Sequence, residues 1–276
     1  MDNPHPHLSV RAPAAFPPPR PDVQPPMREA TKTRNGICAI AVMAKAPQAG
    51  RAKTRLCPPL EPRQAAALSA AFLRDTTENL RQAEREAPIA RYAAYAPIGT
   101  EYTLREHLAS GTRLILADGR LPTIRGVTGL GRCLLHAVIG MLAEGHDAAC
   151  VLSSDVPTLP THYLVQAALA SLAPPRSAAG RIVLGPSEDG GYYLLGMTAP
   201  HASLFTDIAW STSSVADATR ARAQALGLDV FELEPWYDVD EVASLTLVLD
   251  DTTGYPAPGT KNAIERMGLR AALMAS

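Results

Sequence analysis

The sequence lacks any apolar run long enough to cross a lipid bilayer, which takes about 20 consecutive residues in a helix. It has only four cysteines, Cys38, Cys57, Cys133 and Cys150, and none has the C-x-x-C spacing of a zinc or redox motif. Neither a disulfide framework nor a zinc site is therefore expected. These absences predict a protein of the reducing cytoplasm with no membrane segment.

The sequence also lacks the glycine-rich motifs of the commonest nucleotide-binding loops. A P-loop requires a lysine directly after its second glycine. Here Lys53-Thr54 follows Gly50 with Arg51 and Ala52 between them, and Ala44 stands where the first glycine is expected. A glycine-rich dinucleotide fingerprint is absent too. A bound ligand is thus expected to be held more by side-chain cations than by backbone amides.

A strong charge of either sign is missing as well, since the formal net charge is −1. No global electrostatic field therefore favours nucleic acid as a partner. Hydrophobic residues make up 46% of the 276 residues, which is enough for a substantial core. Prolines crowd the first part of the chain, so we predict a disordered tail over residues 1–34 and a single domain over residues 35–276.

Short apolar runs alternate with helical patterns along the predicted domain. Runs without polar alternation are typical of strands that are buried on both faces of a parallel sheet. Strands are predicted over residues 37–44, 89–95, 113–117 and 148–153, and helices over residues 63–86, 102–108, 130–143 and 161–172. This order predicts a right-handed, doubly wound, mostly parallel sheet.

The pattern is looser in the second half of the domain. Residues 182–184 and 192–197 are predicted strands, and the second is expected to be antiparallel and at a sheet edge. Further predictions are a helix after Trp210, a strand over residues 229–233, a helix opened by residues 238–240, and a final amphipathic segment over residues 262–273.

A basic loop follows the first predicted strand and contains Lys45, Arg51, Lys53 and Arg55. Open α/β sheets bind ligands at the carboxyl ends of their strands. Four cations at such a position favour an anionic ligand, most simply a phosphate or diphosphate. The alternative is a solvated loop whose charges bind nothing.

Aspartates are the candidate metal ligands. Asp155 follows the fourth predicted strand, on the same sheet edge as the basic loop, and Asp238 and Asp240 precede a late helix. Mg²⁺ usually binds one or two carboxylates together with phosphate oxygens. The alternative for each position is a helix cap or a solvated charge.

A third candidate is the stretch from Glu188 to Tyr192, in which Asp189 precedes Gly190 and Gly191. The glycines would let the backbone approach a ligand closely, and Tyr192 could stack on a sugar or base. The alternative is a hairpin turn, because Asp-Gly and Gly-Gly are strong turn signals.

Several short motifs occur in a fixed order along the chain. They are Ala44–Pro47, Gly50, Lys53–Leu56, Ser154–Pro157, Gly185–Pro186, Asp189–Gly196, Trp210–Thr212 and Asp238–Asp240. Together they resemble the DUF2064 family, also described as rSAM/selenodomain-associated transferase 1 or arsenosugar-biosynthesis-type glycosyltransferases. The sequence departs from the family pattern at Leu130–Leu134, where Arg132 either takes over the contact of a shifted arginine or that contact is lost.

The resemblance implies a three-layer α/β/α GT-A fold, as in nucleotide-diphospho-sugar transferases, with a Rossmann-like central sheet. It implies phosphates near Lys45, Arg51, Lys53 and Arg55, and Mg²⁺ or Mn²⁺ at Asp155 and Asp240. Asp155 and Asp189 are the implied catalytic residues. Gly190, Gly191, Tyr192 and Trp210 would contact the sugar or the acceptor.

Three functions compete at this point. The first is a metal-dependent glycosyltransferase with a nucleotide-sugar donor and a small-molecule acceptor. The second is a nucleotidyltransferase that joins a nucleoside triphosphate to a phosphorylated small molecule and releases pyrophosphate. The third is a non-catalytic nucleotide-binding module.

Overall fold

A single seven-stranded sheet forms the centre of the molecule in a computed structural model, which describes residues 36–274. The strands are β1 (Cys38–Lys45), β2 (Ile89–Ala96), β3 (Arg113–Leu116), β4 (Ala148–Leu152), β5 (Arg181–Pro186), β6 (Tyr192–Met197) and β7 (Asp229–Glu232). The helices are α1 (Pro62–Ala83), α2 (Glu101–Arg105), α3 (Gly129–Ala143), α4 (Thr161–Leu172), α5 (Val215–Ala225), α6 (Val242–Asp250), α7 (Pro258–Arg266) and α8 (Leu269–Met274). The predicted tail over residues 1–34 lies outside the described residues.

The strand order is β3-β2-β1-β4-β6-β5-β7. All neighbours pair in parallel except β6, which is antiparallel to both β4 and β5. The mostly parallel sheet and the antiparallel direction of β6 are thus confirmed. The expected edge position of β6 is wrong, because its apolar residues are buried between two neighbouring strands, and β7 forms that edge instead.

The central strands are buried on both faces, which explains their unbroken apolar sequences. In β1, Ile40 and Val42 pack in a core with Leu73 of α1 and Leu164 of α4. The alternate residues of β1 belong to a second core, which contains residues of α3 and α5. Each fully buried Leu or Ile contributes about 1.5–3 kcal/mol, so the two cores hold a three-layer α/β/α arrangement together.

A third core joins the last helices to α1. Phe72 of α1 packs there with Leu245 of α6 and Ile264 of α7. Asp75, also on α1 and 1% exposed, accepts hydrogen bonds from the backbone nitrogens of Gly259 (2.9 Å) and Thr260 (2.6 Å) and from the Thr260 hydroxyl (2.6 Å). Burial raises the pKa of the Asp75 carboxyl above its usual range, and these hydrogen bonds oppose that shift. The contacts fix the start of α7 against α1.

The late helix α6 begins at Val242, after residues 238–240, which are predicted to open it. Glu241 is the residue that precedes α6, and its N–H donates to the Ser244 hydroxyl at 3.3 Å. Asp238 and Asp240 therefore lie in the extended segment before α6 and do not open the helix. Among the described residues, no helix has both the length and the apolar character that a membrane span requires.

Candidate active site

A cleft of about 560 Å³ opens at the carboxyl ends of β1, β2 and β4. The basic loop (residues 45–55) forms one wall, and the entrance to α3 with Leu130 and Cys133 forms another. Tyr192, Tyr193, Asp155 and Asp240 complete the lining. The cleft therefore lies at the carboxyl ends of the strands, where the sequence predicts a ligand.

The basic loop is anchored by its apolar residues. Ala52 and Leu56 are buried, and the Gln48 carbonyl accepts hydrogen bonds from the N–H groups of Arg51 and Ala52 at 3.0 Å each. Gly50 has a φ of +75°, which suits a glycine in such a turn. The buried apolar residues and the hydrogen-bonded turn therefore fix the backbone of the loop that carries the basic side chains.

Lys53 is the most constrained cation of the loop. Its ammonium lies 2.8 Å from Asp155 Oδ1 and 2.7 Å from Asp240 Oδ1, and it donates to the Val239 carbonyl at 2.6 Å. The side chain is 7% exposed, and the ammonium stands 5.4 Å from the centre of the Phe72 ring. Lys53 thus ties Asp155 and Asp240 (the acid pair) together.

The other three cations face the solvent side of the cleft. Arg55, with 62% of its side chain exposed, lies 3.4 Å from Asp240 Oδ2. The side chains of Lys45 and Arg51 are exposed and line the cleft, and neither side chain has a hydrogen bond or ion pair to another residue of the described chain. These three side chains are available to an anionic ligand.

Asp155 stands just beyond the end of β4. The Ser153 hydroxyl accepts a hydrogen bond from the Asp155 N–H at 3.1 Å, and the Ser154 hydroxyl donates to Asp155 Oδ1 at 2.9 Å. Asp155 caps no helix, since α4 begins at Thr161 and Pro160 precedes it. This removes the capping alternative for Asp155.

Backbone and side-chain contacts bring the segment over residues 236–240 to Asp155. The Val239 N–H donates to the Asp155 carbonyl at 2.8 Å, and Val239 is fully buried. The Tyr237 hydroxyl is hydrogen-bonded to the Thr158 hydroxyl at 2.7 Å and donates to Asp251 Oδ2 at 2.8 Å. The backbone after β4 and the segment before α6 are therefore bound to each other, which holds the acid pair in position.

The two late aspartates have opposite pKa shifts. Burial would raise the pKa of the Asp240 carboxyl, but the Lys53 ammonium and Arg55 hold it below its usual range. Burial raises the pKa of Asp238 to about 6, and the negative charges of Asp189, Asp240 and Asp155 add to this shift. Asp238, two positions before Asp240, is thus a carboxyl that is neutral in mild acid.

The acid pair fits a divalent metal in the chemistry of its donors. Two carboxylates whose oxygens meet around one point, on the edge of a cationic cleft, suit Mg²⁺ or Mn²⁺ with phosphate oxygens as further ligands. No group of three or more acidic, histidine or cysteine side chains within residues 36–274 has metal-binding geometry. The point where the acid pair meets is filled by the Lys53 ammonium.

The stretch from Ser187 to Gly191 forms the turn between β5 and β6. Asp189 Oδ1 accepts the Gly191 N–H at 2.8 Å, and Gly190 has a φ of +87°. A Cβ atom on Gly190 would lie 2.1 Å from the Ser213 carbonyl oxygen, so close packing requires the glycine. The stretch is therefore a hairpin turn, as the second of the two alternatives predicts. Neither Asp189 nor the two glycines line the cleft.

Tyr192 and Trp210 lie together beside the cleft. Their rings meet edge to face with centroids 6.4 Å apart, and Trp210 packs so closely on Gly131 that a Cβ there would lie 2.9 Å from the indole. The Tyr192 hydroxyl and the Trp210 indole nitrogen are buried without a hydrogen-bond partner in the described part of the chain. Two polar groups are therefore left for a ligand or water.

Sequence reasoning missed the contribution of α3 to the cleft. Leu130, with 49% exposure, and Cys133 line it. The glycine-rich approach to α3 and the motif at Leu130–Leu134 were the available signals. Arg132 in that motif donates to the Gly119 carbonyl at 3.0 Å and also to the Leu121 carbonyl. Arg132 thus supports the loop after β3 rather than facing the cleft.

Comparison with solved structures defines the fold class. A protein from Desulfovibrio desulfuricans G20, provisionally described as a nucleotide-diphospho-sugar transferase, superposes with a TM-score of 0.71 at 22% identity, over 86% of this chain and 96% of that chain. The chain therefore has the GT-A-like fold predicted from its sequence.

Two further solved structures are more distant. A CMP:2-keto-3-deoxy-manno-octonic acid synthetase complexed with CTP has a TM-score of 0.46 at 13% identity, over 77% of this chain and 96% of that one. A cytidylyltransferase from Leptospira borgpetersenii serovar Hardjo-bovis has a TM-score of 0.44 at 11% identity, over 86% of this chain and 95% of that one. At such scores neither likeness supports a functional conclusion.

The profile of the DUF2064 family, described as an uncharacterized protein conserved in bacteria, matches residues 79–212 of this chain. The predicted resemblance is thereby confirmed over these residues, which include Asp155, Asp189 and Trp210. The basic loop and Asp240 lie outside the matched range. A comparison with curated proteins found no match.

Proposed function

We propose that this chain transfers a sugar from a nucleoside-diphosphate sugar to a small acceptor, with a divalent metal at the acid pair. The observation that carries this proposal is the cleft itself, in which three exposed cations face two convergent carboxylates. A metal-bridged diphosphate needs both groups, since cations bind its oxygens and carboxylates bind the metal. The protein from Desulfovibrio desulfuricans that shares the fold is provisionally described as a nucleotide-diphospho-sugar transferase.

Charge stabilisation is the proposed source of catalysis. When the bond between the anomeric carbon and the diphosphate oxygen breaks, negative charge develops on the departing diphosphate. Lys45, Arg51 and Arg55 line the cleft and are proposed to bind that charge, an effect that is strong in a preorganised site. A bound Mg²⁺ or Mn²⁺ would act as a Lewis acid on the same phosphate oxygens.

The sugar and acceptor are proposed to bind on the side of Tyr192 and Trp210. Tyr192 lines the cleft, Trp210 packs against its ring edge to face, and an aromatic ring suits contact with a sugar ring. Asp189 lies near enough to Asp238 to raise its pKa. A catalytic role for Asp189 and ligand contacts for Gly190 and Gly191 stay predictions.

A nucleotidyltransferase is the second candidate function. The observation that favours it is the number of exposed cations in the cleft, because three of them suit the greater charge of a triphosphate. In that reaction a phosphorylated acceptor attacks the α-phosphate of the nucleotide, and pyrophosphate leaves. The same cations would then stabilise the pyrophosphate.

Binding and turnover separate these candidates. A thermal-shift panel of nucleoside diphosphates, triphosphates and nucleotide sugars is recorded for the full chain with and without Mn²⁺. A ligand at a hundred times its dissociation constant adds about 2.7 kcal/mol of stability. Sugar transfer predicts metal-dependent stabilisation by a nucleotide sugar and release of its nucleoside diphosphate. Preference for a triphosphate with release of pyrophosphate would support the second candidate, and binding without turnover would leave a nucleotide-binding module.

A further inference from the structure

Lys53 holds the position between the two carboxylates at which a metal ion would bind. Its ammonium donates to the Val239 carbonyl at 2.6 Å and to Asp240 Oδ1 at 2.7 Å. It also forms an ion pair with Asp155 Oδ1 at 2.8 Å. In contrast, Arg55 reaches only Asp240, at 3.4 Å. Lys53 is therefore the counter-charge that both carboxylates share.

The surroundings of Lys53 favour a built-in contact over a surface ion pair. The side chain is 7% exposed, it passes over the Phe72 ring, and the Lys53 backbone is left-handed with a φ of 48°. Non-glycine residues adopt this conformation only where the surrounding structure requires it. The two buried neighbours in the loop, Ala52 and Leu56, keep Lys53 in place.

We propose that Lys53 is a resident counter-ion of the acid pair, and that a divalent metal binds only by displacing its ammonium. The inference rests on the proposed metal site and adds a regulatory element to it. An ammonium and a divalent ion cannot share the same carboxylate oxygens, because two cations at such short separation repel each other strongly. The Lys53 ammonium paired with Asp155 and Asp240 therefore weakens metal binding to the chain without nucleotide.

The test is a Mn²⁺ titration of the metal-free full chain without nucleotide, followed by the electron paramagnetic resonance signal of free Mn²⁺. Lys53→Met removes the competing charge, and Lys53→Gln does so while keeping a polar side chain. Both should bind Mn²⁺ at least about tenfold more tightly than the wild type, since a charge-assisted contact no longer has to break. Lys53→Arg keeps the charge and should not show this gain.

Lys45→Met is the matched control. It removes the same charge from the same cleft, but Lys45 does not contact the acid pair. If general electrostatics caused the gain, Lys45→Met would show it as well. Adding Asp155→Asn to Lys53→Met should abolish the tighter binding, which locates the ion at the acid pair. Thermal melting of each variant without metal verifies that it folds.

Three results would overturn the inference. They are Mn²⁺ affinity in both Lys53→Met and Lys53→Gln that is equal to or weaker than that of the wild type, an equal gain in Lys45→Met, or no Mn²⁺ binding in any of these proteins. The titration contains no nucleotide. Its failure would therefore remove the role of Lys53 as a counter-ion, whereas sugar transfer is decided separately by the nucleotide panel.

Discussion

The four cations of the basic loop lie in two different environments. Lys53 is enclosed by the acid pair and the Val239 carbonyl, whereas Lys45, Arg51 and Arg55 are exposed along the cleft. The same four residues look equivalent in the sequence, where all are predicted to bind phosphate. Their different surroundings mean that a phosphate contact is tested most cleanly at a residue without a protein partner.

Arg51→Ala should weaken nucleotide binding. The guanidinium has no ion pair with a described residue, so its removal costs the ligand contact and leaves no partner unpaired. A charge-assisted hydrogen bond contributes about 1.5–3 kcal/mol, which corresponds to a roughly tenfold to hundredfold loss of affinity. Calorimetric titration measures this. The control is Arg85→Ala, an exposed arginine outside the cleft lining, and equal affinity in both variants would indicate a solvated loop.

Asp238 predicts a pH dependence of stability. Its pKa in the folded chain is about 6, above the usual value of about 3.9 for an unfolded chain. Between these two values the folded chain retains a proton that the unfolded chain has lost, so stability falls as pH rises through this window. Asp238→Asn carries no such charge. It should therefore melt at a higher temperature than the wild type at about pH 8, with a smaller difference at about pH 4.5.

Melting curves of both proteins across that pH range measure the effect. Asp217→Asn serves as a control, because Asp217 is a highly exposed aspartate of α5 whose carboxylate pairs with Arg220 on the surface and should contribute little. A pH-independent difference between Asp238→Asn and the wild type would contradict the assigned shift.

At the scale of elements, α7 depends on one carboxylate of α1. Asp75 accepts three hydrogen bonds from Gly259 and Thr260, so Asp75→Ala leaves buried donors without an acceptor. Each buried unsatisfied group costs about 1–3 kcal/mol, and the free energy of unfolding in urea should fall by at least that amount. Glu78→Ala is the control on the same helix, since Glu78 is partly exposed, pairs with Arg81 and should change stability by less than about 1 kcal/mol.

An element can be predicted from the sequence when the pattern that defines it lies within its own residues. Strands β1 and β4 are recognisable because complete burial demands unbroken apolar runs, and their carboxyl ends locate the cleft. The inner position of β6 is not recognisable, because it depends on pairing with β4 as well as on the local hairpin with β5.

The site shows the same limit. Residue types and strand ends suffice to nominate Asp155, Asp240 and the basic loop. The contact of Lys53 with Asp240 spans 187 positions of the sequence and depends on side-chain placement. No pattern of spacing encodes it, so only the structure reveals that Lys53 contacts both members of the acid pair, whereas Arg55 contacts Asp240.

At the scale of the whole molecule, the sequence predicts that the proline-rich segment over residues 1–34 makes no contribution to the domain. Deletion of residues 1–30 should then leave both the melting temperature and nucleotide affinity unchanged. The full chain and the truncated chain are compared by thermal melting and calorimetric titration. A clear loss of either property would mean that the segment packs on the domain or takes part in binding.

A near-neutral molecule with a local cationic cleft is expected to bind its ligand through short-range contacts. The net charge of −1 provides no long-range attraction for an anion. Affinity must therefore come from the basic loop and from the proposed metal at the acid pair. This makes the metal dependence of nucleotide binding the central property of the site.

The most direct test of the proposed site measures nucleotide affinity against Mn²⁺ concentration for the wild type and Asp155→Asn. Asparagine keeps the size of the side chain but removes the charge that attracts a metal. The wild type should bind a nucleoside diphosphate more tightly as Mn²⁺ rises, and Asp155→Asn should fold normally yet lose that dependence. Identical Mn²⁺ dependence in the two proteins would contradict the metal site and, with it, the proposed metal-dependent transfer.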